Sequence, residues 1–207
     1  MAKVSAATKE NVSLALFDYG ILSFGEFTLK SGIISPYYID LRMIQSHPKA
    51  FHAVVDIYAE LLADLDESVF LAGIPEAGIP LATAVGYAAE RPLIQPRAKI
   101  KQHGKGKLVE GDWKAGDKVA IIDDLVAKGD SKIEALDQFK QAGLKIVGFY
   151  LLIDREMGGK AVIENAGYDA EIAMNITEIF EILRKKNRIT EQQESEILSF
   201  TRKNSSS

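Results

Sequence analysis

Two adjacent carboxylates, Asp123 and Asp124, follow four apolar residues, Val119 to Ile122. A small polar loop comes next, Ala127-Lys128-Gly129-Asp130-Ser131. The apolar run predicts a short buried strand, and Ile133, Leu136 and Phe139 then recur at helical spacing. In open parallel sheets, ligands bind where a strand ends and the next helix begins. The first helical N–H groups lack partners there and attract anions. Acids at that point suit a polyhydroxylated group or a metal, and the loop beyond them suits a phosphate. An acid pair after a buried strand also occurs as a solvated turn, with Asp130 or Ser131 as a helix N-cap.

Three further segments carry unusual chemistry. In Phe27 to Arg42, Lys30 stands between an apolar dipeptide and a Ser-Gly turn, and Pro36 precedes Tyr37 and Tyr38. Tyr38 to Leu41 then alternates like a strand. A lysine beside aromatic planes suits a planar anionic ring, although a plain hairpin with half-buried tyrosines would look similar. Arg97 to Gly111 holds Arg97, Lys99, Lys101, His103, Lys105 and Lys107, with glycines at 104, 106 and 111. Ile100 is its one apolar residue before Leu108, so this stretch has no face for a core and predicts a mobile loop. Leu151 to Lys160 is another apolar run ending in an acid, followed by Arg155 and the Gly158-Gly159 turn.

Taken in order, the four segments resemble the orotate phosphoribosyltransferases, a branch of the type I phosphoribosyltransferases. The matching motifs are Thr28-Leu29-Lys30-Ser31-Gly32, the basic loop with Lys101-Gln102-His103-Gly104, the acid pair, and Asp154-Arg155 followed by Gly158-Gly159. The resemblance runs from about Phe17 to Lys186. It implies an α/β fold with an open parallel sheet flanked by helices. It also implies a small N-terminal hood over the sheet's carboxyl edge. One domain then spans residues 1–207, with the hood at about 1–45, the core at about 46–186 and a C-terminal helix at 187–203. The implied reaction moves ribose 5-phosphate from phosphoribosyl pyrophosphate to orotate. Magnesium is implied as a cofactor held mainly through the donor, with no protein metal ligands.

The same resemblance implies roles. Lys30 would contact pyrophosphate beside orotate, with Tyr37 and Tyr38 against the pyrimidine ring. Arg155 would pair with the orotate carboxylate, a planar anion that suits its donor fork. Asp123 and Asp124 would accept from the ribose hydroxyls, and Ala127, Lys128, Gly129, Asp130 and Ser131 would cradle the 5′-phosphate. Arg97, Lys99, Lys101 and His103 would surround the leaving pyrophosphate, with Lys101, His103 and Asp124 closest to the chemistry. The loop Arg97–Gly111 would be shared between the subunits of a homodimer. The chain departs from the family at Ala127, where threonine is usual, and at Lys128, Asp130, Ala98 and Gln102. A phosphoribosyltransferase for another base, or a non-catalytic regulator that binds the donor, would share the acid pair.

Composition agrees. The chain has 207 residues, 47% of them hydrophobic, enough for one substantial core. Its formal charge of −4 argues against a general nucleic-acid binder. It has no cysteine, hence no disulfide framework or thiolate metal site. No apolar run approaches membrane-span length and the start lacks a signal-like apolar stretch, so a cytoplasmic location is expected. Helices are predicted at Thr8–Phe17, Pro48–Leu65, Ile79–Ala89, Ile176–Lys185 and Thr190–Phe200. The remaining strands are predicted at Val69–Ala72, Pro92–Gln95 and Val147–Ile153. Gly73 to Gly78 reads as a turn whose amides could approach pyrophosphate.

Overall fold

A computed structural model describes residues 4–29, 32–97 and 108–205. In chain order the elements begin with helix α1 (Ala6–Asp18), capped by the Ser5 hydroxyl. An antiparallel hairpin follows, β1 (Leu22–Thr28) and β2 (Ile34–Ile39). A 3-10 turn (Leu41–Ser46) leads into α2 (Pro48–Leu61), then β3 (Phe70–Gly73) and α3 (Gly78–Ala88). Two short strands, β4 (Gln95–Pro96) and β5 (Val109–Glu110), pair as a ribbon. The second half holds β6 (Lys118–Val126), α4 (Asp130–Glu134), α5 (Asp137–Gln141), β7 (Lys145–Asp154), α6 (Gly159–Asn165) and β8 (Ala170–Asn175). It closes with α7 (Ile176–Lys185) and α8 (Glu191–Asn204).

The central sheet is parallel, in the order β3-β6-β7-β8. Both of its faces are covered, which explains why its strands read as nearly continuous apolar runs. Alternate residues of β6 serve opposite sides. Ala120 and Ile122 pack with α1, α2 and α7, while Val119 and Ile121 pack with Phe139, Phe149 and Ile163. The hairpin β1–β2 forms a separate small sheet. It rests on α7 and α8 through Phe24, Tyr37, Phe180 and Phe200.

Several expectations change. The strand expected at Val119–Ile122 continues through both acids to Val126, because its ladder to β7 runs on to the Val126–Asp154 pair. Backbone pairing does not depend on side-chain polarity, so apolarity underestimates such a strand. The helix expected through Ile133 and Phe139 is two short helices, α4 and α5. Residues Pro92–Gln95 do not form a strand of their own. Leu93 makes one parallel bridge to Leu71, and Gln95 belongs to the ribbon. Leu41 leaves the expected strand for the 3-10 turn, where the Asp40 carboxylate accepts from the Arg42 amide. Helix α2 stops at Leu61, four residues early. The capping box expected at Thr190 and Gln193 is present.

One buried contact ties α2 to the end of β6. Tyr58 is wholly buried, and its hydroxyl donates to the Asp123 carbonyl at 2.5 Å. Tyr58→Phe leaves that carbonyl without this donor. The expected loss is about 1–2 kcal/mol, read as a fall of a few degrees, about 2–6 °C, in thermal melting. An unchanged melting temperature would show that the bond contributes nothing net.

Candidate active site

The acid pair lies in β6, beside a cleft of about 570 Å³ that also involves Arg42, Pro75, Glu76 and Lys132. This is within the range of small-molecule sites. Asp123 is 2% exposed. One of its oxygens accepts the Asp124 amide at 2.9 Å, and the other is ion-paired with the Lys132 ammonium. Lys132 stands 4.0 Å from Asp124, so one cation serves both acids. Asp124 is less buried and gives one oxygen to the Leu125 amide at 2.7 Å. Burial pushes the Asp123 carboxyl up to about 6, Lys132 opposes that rise, and the neighbouring Asp124 charge adds to it.

Close backbone approaches shape the walls. A Cβ on Gly78 would lie 2.7 Å from the Ile122 carbonyl and 3.0 Å from an Asp123 carboxylate oxygen. Only glycine lets the Gly73–Gly78 turn sit against the acid pair. The turn is closed by the Gly78 amide donating to the Ile74 carbonyl at 2.9 Å. On the other side, the loop Ala127–Ser131 rests on the Gly158-Gly159 turn. A Cβ on Gly159 would meet the Ala127 carbonyl at 2.5 Å, and one on Gly129 would meet the Gly159 carbonyl at 2.7 Å.

Gly129, in the left-handed region at φ +87°, is the N-cap of α4. Neither Asp130 nor Ser131 is the N-cap. Asp130 occupies the first helical turn, exposed, where a negative charge favours the helix dipole. The Lys132 and Ile133 amides donate back to the Gly129 carbonyl at 2.9 and 3.3 Å. The Asp130 and Ser131 amides therefore precede the helical ladder. Lys128 and Ser131 are exposed, and Ala127 is half-buried.

Arg155 follows the end of β7, and its amide donates to the Val126 carbonyl at 2.9 Å. The first residue after β7 is thus locked to the last residue of the acid-bearing strand. Its guanidinium lies 5.0 Å from the Tyr37 ring centre, and its Nε donates to the Tyr37 hydroxyl at 3.3 Å. Its Nη2 is sealed from solvent and finds no acceptor among the described residues. Tyr37 is wholly buried, edge-on to Phe180 and Phe200. This corrects its expected place against the pyrimidine: the ring offers no open face and touches Arg155 instead. Burial raises the Tyr37 phenol, which stays neutral. Tyr38 points the other way along β2, 38% exposed and packed on Phe27.

Arg97 is paired with Glu110 across the β4–β5 ribbon, and its carbonyl accepts from Gln138 at 3.0 Å. In this structure it closes the foot of the basic loop. Lys30, Lys99, Lys101 and His103 lie outside the described residues. Two cleft residues escaped the sequence reading. Lys132, nine positions after Asp123 and just beyond the loop, has no role in it. Arg42, held by a two-pronged bond to Asp40 at 2.7 and 2.8 Å, is there only the last residue of the Phe27–Arg42 segment.

The raised Asp123 carboxyl has a pH signature in the ligand-free protein. The folded state holds this proton more tightly than the unfolded chain, so the contribution is most favourable below about 4. It is lost as pH rises through about 6. Relative to the parent, Asp123→Asn should therefore gain stability between pH 4.5 and 7, by on the order of 2 kcal/mol. Parallel thermal melts at both pH values check this, and a pH-independent difference would mean that Lys132 keeps the carboxyl ionised throughout.

The model of the phosphoribosyl transferase domain family matches residues 40–171. The chain is 37% identical over 180 residues to the bifunctional enzyme PyrF/PyrE of Nostoc sp., covering 87% of this chain and 38% of that one. It is 34% identical over 174 residues to the orotate phosphoribosyltransferase of Pyrococcus abyssi, covering 84% of this chain and 96% of that enzyme. Among solved structures, the Leishmania donovani UMP synthase superposes with a TM-score of 0.86 at 39% identity. That match covers 96% of this chain and 43% of the synthase. The chain thus spans less than half of the two longer relatives and nearly all of the Pyrococcus enzyme. A parallel sheet with its acid pair in a cleft, a loop seated on Gly158-Gly159 and these similarities agree: the chain belongs to the orotate phosphoribosyltransferase family.

Proposed function

We propose that this chain transfers ribose 5-phosphate from phosphoribosyl pyrophosphate to orotate, forming orotidine 5′-monophosphate and pyrophosphate in pyrimidine nucleotide biosynthesis. The observation that carries the reading is Arg155. A guanidinium with a sealed nitrogen that has no partner among the described residues stands next to the strand that bears the acid pair. Burying such a donor unsatisfied costs about 1–3 kcal/mol, and a carboxylate on the acceptor base would remove that cost. A base without a carboxylate would leave it in place, which disfavours a phosphoribosyltransferase of other specificity.

In this reading the ribose hydroxyls donate to the acid pair, chiefly to Asp124, since both Asp123 oxygens are already engaged. The 5′-phosphate sits on the loop Ala127–Ser131, held by the Asp130 and Ser131 amides and the Ser131 hydroxyl. Ala127 supplies no hydroxyl, and Asp130 turns outward. The bond from C1 of the ribose to pyrophosphate breaks, leaving positive charge on the sugar and negative charge on the leaving group. N1 of orotate gives its proton to solvent and closes on C1. Lys101 and His103, with Lys99 and Lys30, surround the pyrophosphate and stabilise that charge more in the transition state than in the ground state. Arg97 anchors the foot of their loop.

Among the described residues, no three His, Cys, Asp or Glu side chains cluster as a metal cage. Magnesium commonly rides on substrate phosphates and keeps its waters. The ion would be held by the donor's own oxygens and would neutralise charge on the leaving pyrophosphate. The working unit is a homodimer in which the Arg97–Gly111 loop of one subunit covers the site of the other and excludes water. A cytoplasmic setting accompanies this role. Among the described residues, no helix is long and apolar enough to cross a membrane.

The test is orotate consumption by the purified chain with phosphoribosyl pyrophosphate and magnesium, monitored with authentic orotidine 5′-monophosphate as standard. Arg155→Ala should raise the orotate KM by about 100-fold, as expected for losing a charge-assisted pair. The donor KM should change little. A parent that binds the donor yet consumes no orotate would favour the regulator reading.

A further inference from the structure

Tyr37 lies before the segment that matches the phosphoribosyl transferase domain, and Phe180 and Phe200 lie after it. Arg155 lies inside it. These outer residues converge on Arg155. The Tyr37 ring packs edge-on to Phe180 at 5.1 Å and 66°, and to Phe200 at 6.0 Å and 88°. The same side chain meets the arginine: ring under guanidinium at 5.0 Å, hydroxyl accepting from Nε at 3.3 Å. The phenol thus engages one edge and one face of the arginine. Nη2 remains as a sealed donor with no acceptor among the described residues. An arginine free to swing would point that nitrogen at water; this one is held against doing so.

We propose that Tyr37 is a positioning residue that sets base selectivity by holding the Arg155 guanidinium in one orientation, with α7 and α8 as its backing. The inference deepens the proposed function and rests on Arg155 reading the orotate carboxylate. Its physical basis is pre-organisation. Arginine carries several rotatable bonds, and a two-pronged bond to a carboxylate is strong only when the fork is already aligned. The aromatic face supplies a cation–π attraction that grows when water is excluded. The hydroxyl fixes rotation about the guanidinium by occupying Nε. Among the described residues, Tyr37 makes no hydrogen bond or ring contact with the acid pair or the loop Ala127–Ser131, the described part of the donor site. A defect at Tyr37 should therefore appear in the base and not in the donor.

Tyr37→Phe and Tyr37→Leu test the division of labour by steady-state kinetics with orotate and with uracil, the same ring without the carboxylate. Loss of the hydroxyl alone should raise the orotate KM about fivefold. Loss of hydroxyl and ring together should raise it about 20-fold or more. In both variants the preference for orotate over uracil falls in step, and the donor KM stays within about twofold of the parent. Phenylalanine thus rescues part of what leucine loses. If the preference is unchanged in Tyr37→Phe, or if orotate and donor KM rise together, Tyr37 is only a packing residue and the inference is wrong. Should Tyr37→Leu fail to fold, the near-isosteric Tyr37→Phe decides alone. A parent without orotate turnover would overturn the proposed function and this inference together. A parent active on orotate whose variants discriminate normally would overturn the inference only.

Discussion

The ion pair between Lys132 and Asp123 is the contact on which the rest of the site depends. Two consecutive carboxylates at the edge of a buried parallel sheet repel one another, and the inner one is almost out of reach of water. Burying such a charge without a partner is strongly unfavourable. A single ammonium from α4 faces both. This pins the head of α4 to β6, and with it the loop that joins them. The acid pair and the loop Ala127–Ser131 are therefore one mechanical unit, not two motifs that happen to be neighbours.

The second constraint is the spacing of backbones. The acid pair is approached from one side by the Gly73–Gly78 turn, and the loop Ala127–Ser131 is supported from below by Gly158-Gly159. At Gly78 and Gly159 an added methyl group would collide with a carbonyl of the adjoining segment. Collisions with main chain are not relieved by a side-chain rotation. The Gly158-Gly159 pair thus acts in this structure as the floor under the loop Ala127–Ser131.

A third layer links the hood to the base. The hairpin β1–β2 is a small two-stranded sheet, which is marginal by itself. Aromatic contacts to α7 and α8 provide its support. Tyr37 is the point at which that support touches Arg155. The side chain that packs the hairpin on α7 and α8 is the one that touches the guanidinium, so both regions share one set of contacts.

Much was legible in the sequence because it depends on local chemistry. The acids, the arginine, the glycine turns and the basic loop are defined by residue type and order. Helices α1, α3, α7 and α8 follow from periodicity and caps; both ends of α7 coincide with those found, and the ends of the others lie within four residues. What tertiary structure alone decided concerns direction and partnership. Strand β6 runs through its acids because β7 pairs with them, which no single-strand pattern contains. Lys132 meets Asp123 because α4 folds back over the strand, an arrangement invisible in a spacing of nine residues. Tyr37 and Tyr38 are equivalent by type, yet the pleat of β2 sends one inward under Arg155 and leaves the other half-exposed. Sequence determines which groups are available; the burial and alternation imposed by the packed sheet determine which of them meet.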